Sequence, residues 1–242
     1  MKKFMAFVFV VLVGWSLGAQ NLSDEEFLRV LRKGEGYSPQ FKATMLFEVN
    51  NPGGAPSVAE LTLYENSGKS IAVFLSPARD KGKVILQLDS KYWLYFPKAK
   101  RSTVLSPLAN MVGNASNGDV LRPPQAELYD ISLLEDTPKK GNRTVQFLAS
   151  SRKAPYGKII AYYENDKILA TELYSRSGVL LKTTESLDHI KNTGGFGWMP
   201  VKTRIVDGKN PEIFTIITFS NVVIMKDMNQ SWFNPNNLGR VR

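Results

Sequence analysis

His189 is the one histidine in this chain of 242 residues, so any acid–base chemistry that needs an imidazole must use it. A Ser-His-Asp hydrolase would also need a nucleophile raised on a sharp turn. No G-x-S-x-G elbow occurs, and the nearest stretch, Gly113-Asn114-Ala115-Ser116-Asn117-Gly118, has the wrong spacing. On its own, His189 reads as an ordinary surface residue. Zero cysteines exclude disulfides, thiolate nucleophiles and cysteine-ligated zinc. No ligand set is spaced for zinc and no EF-hand loop is present, so neither a metal nor a cofactor is expected. Gly194-Gly195-Phe196-Gly197 is glycine-rich but lacks the strand-to-helix setting of a phosphate cradle, and reads as a flexible loop. Nothing marks a glycosidase-like pair of carboxylates. The chain is expected to be a binder, not an enzyme.

What the residues offer instead is hydrophobicity in strands. Met45, Phe47 and Val49 share one face of Phe41–Val49, opposite Thr44 and Glu48. Leu61 and Leu63, then Ile71, Val73 and Leu75, then Val84, Leu86 and Leu88 repeat that period of two. Tyr92-Trp93-Leu94-Tyr95-Phe96 is apolar on both faces. A two-faced core strand reads that way, and so does a curved sheet with a cavity on one side. Further strands are expected at Val145–Ala149, Ile159–Tyr163, Ile168–Tyr174, Val179–Lys182, Val201–Ile205 and Phe214–Val223. Roughly ten short strands joined by polar turns predict an antiparallel meander.

Two segments break the pattern. Leu22 to Leu31 predicts a helix: Ser23 and Glu26 form a capping box, and Phe27, Val30 and Leu31 make one apolar face, with Gly34 and Gly36 ending it. Ser106–Pro124 interrupts the strands, and Leu108, Ala109, Met111 and Val112 predict one or two helical turns. A long non-strand segment in a β domain is either a surface crossover or a lid.

The amino-terminal end carries Lys2 and Lys3, an apolar block from Phe4 to Trp15, and small residues up to Ala19. That order predicts a cleaved secretory signal peptide over residues 1–19, and an exported, soluble mature chain. Residues 20–242 are expected to form a single domain, since no Pro-, Ser- or Gly-rich linker divides them. Losing Lys2 and Lys3 lowers the net charge from +9 to +7. Export argues against a nucleic-acid partner. Lys98, Lys100 and Arg101 form the tightest basic group, too sparse for a binding arm and read as solvated surface.

The order of motifs resembles the LolA-like family of periplasmic outer-membrane lipoprotein-sorting proteins. The resemblance rests on Tyr92-Trp93-Leu94-Tyr95-Phe96-Pro97-Lys98, like the family's W-L-Y-x-P strand, with Arg101 after it, and on Met111-Val112-Gly113-Asn114, like its M-G-S-D loop. Tyr156-Gly157-Lys158, Glu172-Leu173-Tyr174, Pro200-Val201-Lys202, Thr218-Phe219-Ser220-Asn221 and the closing Trp232-Phe233 to Leu238 complete it. Asn114-Ala115 stands where an acidic residue is usual.

The resemblance implies a mainly β (α+β) fold: a strongly curved antiparallel sheet forming an incomplete β-barrel, capped by short helices over an apolar cavity. It implies a periplasmic carrier for lipidated proteins or lipids. The implied partners are inner- and outer-membrane lipoprotein-transport components, with transient contact at a membrane surface. An envelope sensor or scaffold on the same fold is the alternative. Cavity candidates are Phe47, Leu63, Val73, Leu86, Trp93, Tyr95, Phe147 and Leu173; lid candidates are Leu108, Met111, Val112, Phe27 and Leu31.

Overall fold

The computed structural model describes residues 22–33, 40–121, 126–135, 141–191 and 198–241. The expected leader, the helix stop at Gly34 and Gly36, Pro123-Pro124 and the Gly194–Gly197 loop lie outside the described residues.

Alternating hydrophobicity does build strands. They are β1 (Phe41–Asn50), β2 (Ser57–Asn66), β3 (Lys69–Ser76), β4 (Val84–Leu88), β5 (Lys91–Phe96) and β6 (Arg101–Leu105). After them comes a hairpin of β7 (Asn110–Val112) and β8 (Ala115–Ser116). The chain continues with β9 (Tyr129–Leu133), β10 (Arg143–Ala149), β11 (Lys158–Glu164), β12 (Lys167–Tyr174), β13 (Leu180–Lys191), β14 (Trp198–Asp207) and β15 (Phe214–Ile224). Two helices join them, α1 (Asp24–Lys33) and α2 (Asn117–Val120).

Thirteen strands form one antiparallel sheet in the order β6-β5-β4-β3-β2-β1-β15-β14-β13-β12-β11-β10-β9. Antiparallel pairing of β1 with β15, Phe41 opposite Ile224, joins the two ends of the meander in the middle of the sheet. The outermost strands, β6 and β9, do not pair with each other, so the sheet is an unclosed, incomplete barrel.

Residues directly opposite in a ladder share a face, so register traces one surface across the sheet. Phe47 opposes Ala59 and Ile217, Ile217 opposes Thr203, and Thr203 opposes Ser186. Ile205 opposes Thr184, Thr184 opposes Thr171, and Thr171 opposes Ala161. This inner face is apolar at both ends. On β1–β5 it carries Met45, Phe47, Leu61, Leu63, Phe74 and Ile85, buried beneath Ala115, Val120 and Leu121. On β9–β12 it carries Ile131, Val145, Phe147, Ile159 and Leu173, buried with Phe27 of α1. Between them runs a half-buried hydroxyl band of Thr171, Thr184, Ser186 and Thr203, with Thr171 Oγ1 2.7 Å from Thr184 Oγ1.

The outer face of β2–β5 is covered as well. Met228, Phe233, Leu238 and Val241 of the carboxy-terminal segment pack on Tyr64, Ile71, Val84 and Leu86, with Val73, Trp93 and Tyr95 around them. Two short 3-10 turns, Gln230–Trp232 and Pro235–Arg240, shape this cover, each started by an asparagine side chain that accepts a backbone N–H: Asn229 from Ser231 at 3.0 Å and Asn234 from Asn236 at 2.9 Å.

Several expectations are corrected here. The segment Leu108–Val112 is not helical. Asn110–Val112 is a strand that turns at Gly113 and returns as β8. Gly113 sits at φ +58°, a left-handed conformation that glycine adopts without strain and that breaks a helix. The strands β6 and β9 escape the alternation rule: β6 (RSTVL) has four exposed residues, and β9 (YDISL) shows a buried–exposed pattern too short to stand out. The helix expected at Leu22–Leu31 starts two residues later and runs to Lys33. Its capping box is present, with Ser23 Oγ donating to Glu26 Oε2 at 2.8 Å and Ser23 N to the same oxygen at 3.0 Å.

Candidate binding site

A cleft of about 660 Å³ opens on the inner face between β2–β6 and the β7–β8 hairpin. Its wall is Ala59, Phe74, Ile85, Leu94 and Leu105 from the sheet, and Met111 and Val112 from the hairpin. Arg79, Asp80 and Lys83 stand at its rim, on the turn between β3 and β4. The size is within the ~300–1,000 Å³ usual for small-molecule pockets, and Ser57 and Asn110 add polar groups to the apolar wall.

The hairpin that forms one wall is fixed at two places. At its turn, Asn114 N donates to Thr215 Oγ1 at 3.1 Å, and Asn114 Nδ2 donates to the Ile205 carbonyl at 3.2 Å. Gly113 lies so close to β1 and β15 that a Cβ there would stand 2.8 Å from Val49 Cγ2 and would strike the Thr215 hydroxyl. Asn114 is therefore an anchor that needs both a donor and close backbone approach.

The second anchor is ionic. Asp119 on α2 pairs with Lys182 of β13, Oδ2 to Nζ at 2.7 Å, with 4% and 12% of the two side chains exposed. The same Oδ2 accepts from Ser116 N at 2.8 Å, and Oδ1 accepts from the Tyr156 hydroxyl. Burial first, and then the neighbouring Asp119 charge, push the Tyr156 hydroxyl pKa well above the ordinary tyrosine value. Sequence reading missed Asp119. The signal was available as Ser116-Asn117-Gly118-Asp119 ahead of Val120-Leu121, a capping-box spacing before apolar residues.

The α1 end of the inner face is filled. Phe27 is fully buried and meets Tyr163 edge-on at 5.1 Å. The Arg143 guanidinium lies 4.9 Å over the Phe27 ring, donates to Asp24 at 2.8 Å and also bonds the Leu22 carbonyl. Burial raises Tyr163 above the ordinary tyrosine pKa and pushes Tyr129 up to about 12.

The structure distributes the sequence-derived cavity candidates over three places. Phe47 and Leu63 lie in the inner-face cluster that adjoins the cleft. Phe147 and Leu173 lie in the cluster under α1. Val73, Leu86, Trp93 and Tyr95 are on the opposite face, under the carboxy-terminal segment. Their placement in a cavity with Phe47 is corrected: strands apolar on both faces are buried on both faces here, and alternation alone does not say which side is hollow. None of the eight lines the cleft itself. Of the lid candidates, Met111 and Val112 line it, Leu108 is exposed just before the hairpin, and Phe27 and Leu31 belong to the α1 cluster. His189 Nε2 lies 2.7 Å from the Ile168 carbonyl, a pairing within the sheet. Among the described residues no helix is long and apolar enough to cross a membrane.

A family model described as "Uncharacterized protein"-like matches residues 66–240. No curated protein matches the chain. Solved structures do. A LolA superfamily protein from Nitrosomonas europaea is 19% identical, with a TM-score of 0.75 over 88% of this chain and 98% of that one. A domain from Vibrio parahaemolyticus whose name proposes outer membrane lipoprotein sorting is 21% identical, with a TM-score of 0.72 over 86% and 95%. A DUF1329 family protein from Desulfovibrio piger is 19% identical, with a TM-score of 0.74 over 88% and 96%.

Proposed function

From a chain that belongs to the family matched over residues 66–240 and has the LolA-superfamily fold, we infer a carrier or binder of acyl chains, borne by lipids or lipidated proteins, that works in the bacterial envelope after export. The observation that carries this reading is the cleft between the inner face and the β7–β8 hairpin, about 660 Å³ in volume, with Phe74, Ile85, Leu94, Leu105, Met111 and Val112 in its wall. Each acyl methylene withdrawn from water contributes about 0.8 kcal/mol, so such a hollow binds a chain without any covalent step. The names of the similar structures point the same way: one is called a LolA superfamily protein, and another is named for lipoprotein sorting. Inner- and outer-membrane transport components are the corresponding partners, and residues 20–242 act as a single domain in this reading.

The test is extraction of natively purified protein with organic solvent and mass spectrometry of the extract, paired with titration of an apolar fluorescent dye. Acyl lipid in the extract and dye fluorescence quenched by Ala78→Trp, which fills the cleft from an exposed position, are the expected results. An empty extract together with dye binding indifferent to Ala78→Trp would end the proposal.

A further inference from the structure

We propose that the ligand of this cleft is an amphiphile with one long apolar chain and an anionic head, and that the head rests on a basic rim built from two touching turns. The inference rests on the acyl-binding reading and narrows it to a ligand class. The turn 77–83 links β3 to β4 and the turn 97–100 links β5 to β6. Both emerge at the same end of the sheet, because Val84 opposes Tyr95 and Phe96 opposes Arg101. They touch: a Cβ built on Gly82 falls 3.4 Å from Pro97 Cγ.

These turns and the first residue of β6 bring together Arg79, Lys81, Lys83, Lys98, Lys100 and Arg101, with Asp80 as the carboxylate among them. Asp80 is engaged within the turn, 2.6 Å from Lys83 Nζ and 3.4 Å from Arg79 Nε. The Lys83 hydrogen bond holds its carboxyl below the usual range. Glu48 and Glu60 on the adjoining strands alternate with Phe47 and Ala59, so they lie on the other face. Arg79 and Lys83 line the cleft together with Asp80, and Lys81, Lys98, Lys100 and Arg101 are exposed on the same two turns and the start of β6. The cleft therefore opens next to turns that carry six cations and one carboxylate. A surface with such an excess of one sign concentrates ligands of the opposite charge.

Volume sets the tail. At ~30 Å³ for a group the size of a water molecule, 660 Å³ holds on the order of twenty methylene-sized groups. That is room for one long chain.

The experiment titrates the purified mature chain, residues 20–242, with a fluorescent long-chain fatty acid and with its methyl ester. Lysophosphatidylglycerol and lysophosphatidylcholine form a second pair of competitors. The anionic member of a pair should bind about tenfold tighter at low salt, and the margin should shrink as salt screens the rim. A margin in the fatty-acid pair identifies a carboxylate head, and one in the lysolipid pair a phosphate head whose charge no choline balances; either supports the proposal. Lys81→Glu/Lys98→Glu/Lys100→Glu should reduce the anion-to-neutral ratio toward one, with ester binding reporting that the fold survives. Equal binding of charged and neutral members in both pairs overturns the rim while leaving the cleft as an acyl site. No binding of any probe removes the acyl-binding reading, and this inference with it.

Discussion

The two apolar ends of the inner face are covered in opposite ways. Under α1 the cover is part of the core: Phe27 is fully buried against Tyr163, and Arg143 seals the edge. Under the β7–β8 hairpin the cover is held by directed polar bonds at its turn and at α2, and its Met111–Val112 flank faces a hollow. Burial holds a cover wherever it is packed. The hairpin and α2 are packed on the inner-face core as well, through Ala115, Val120 and Leu121, but their hydrogen bonds and ion pair fix them where one flank borders open space. Of the two segments that sequence alone nominates as lids, the hairpin is the one that borders the cleft.

The largest expected effect probes the ionic anchor. Lys182→Met leaves the Asp119 carboxylate buried without its cation and should cost about 3–5 kcal/mol in urea unfolding. Adding Asp119→Leu removes the stranded charge but also the acceptor of Ser116 N and of the Tyr156 hydroxyl, so it should restore only part of the loss. A single-variant loss below about 1 kcal/mol would mean that the hairpin is not held from β13. The filled side is tested by Phe27→Ala, expected to cost about 3 kcal/mol as a buried aromatic is removed while leaving dye binding in the cleft intact. Dye binding lost along with stability would show that the two ends are coupled.

Alkaline pH separates the same two regions. Tyr129 and Tyr163 belong to the α1 end, whereas the Tyr156 hydroxyl is shared with the hairpin's anchor at Asp119, and burial raises the first two above an unfolded value near 10. Their contribution is fully present below that value and is lost as pH rises through the folded values. Stability should therefore fall from pH 10 upward, by about 3 kcal/mol from Tyr129 alone once pH passes about 12. Hydrogen exchange should report loosening around α1 before the hairpin. Loosening at the hairpin first would contradict the assignment. The smallest effect is Gly113→Ala, at about 1–2 kcal/mol, because Val49 and Thr215 must yield to a methyl group. It should change dye affinity more than stability, whereas Phe27→Ala does the reverse.

The meander was legible because β1 alternates cleanly and Leu61 and Leu63 carry the same period into β2, and the α1 start because Ser23 and Glu26 spell a capping box. The location of the hollow was not. Val73 and Leu86 are as apolar as Ile85 and Phe74, yet they lie under the carboxy-terminal cover while the latter two wall the cleft. A period of two assigns residues to opposite faces without saying what lies over either. The hairpin was missed for a related reason. Met111 and Val112 carry an apolar signal that a helical turn and a two-residue turn explain equally well, and the deciding fact, how near Gly113 comes to Val49, is tertiary. Lys98, Lys100 and Arg101 are sparse along the chain and gain their neighbours Arg79, Lys81 and Lys83 when two turns meet.

A sheet whose terminal strands β6 and β9 never meet has a circumference that its own ladders leave open. A closed barrel is bound by its strand number and stagger to one diameter. Here the arc is set instead by twist summed over twelve ladders and by the struts that the β7–β8 hairpin and α2 throw across to β13, β14 and β15. Loosening a strut would let the frame relax with every rung still made.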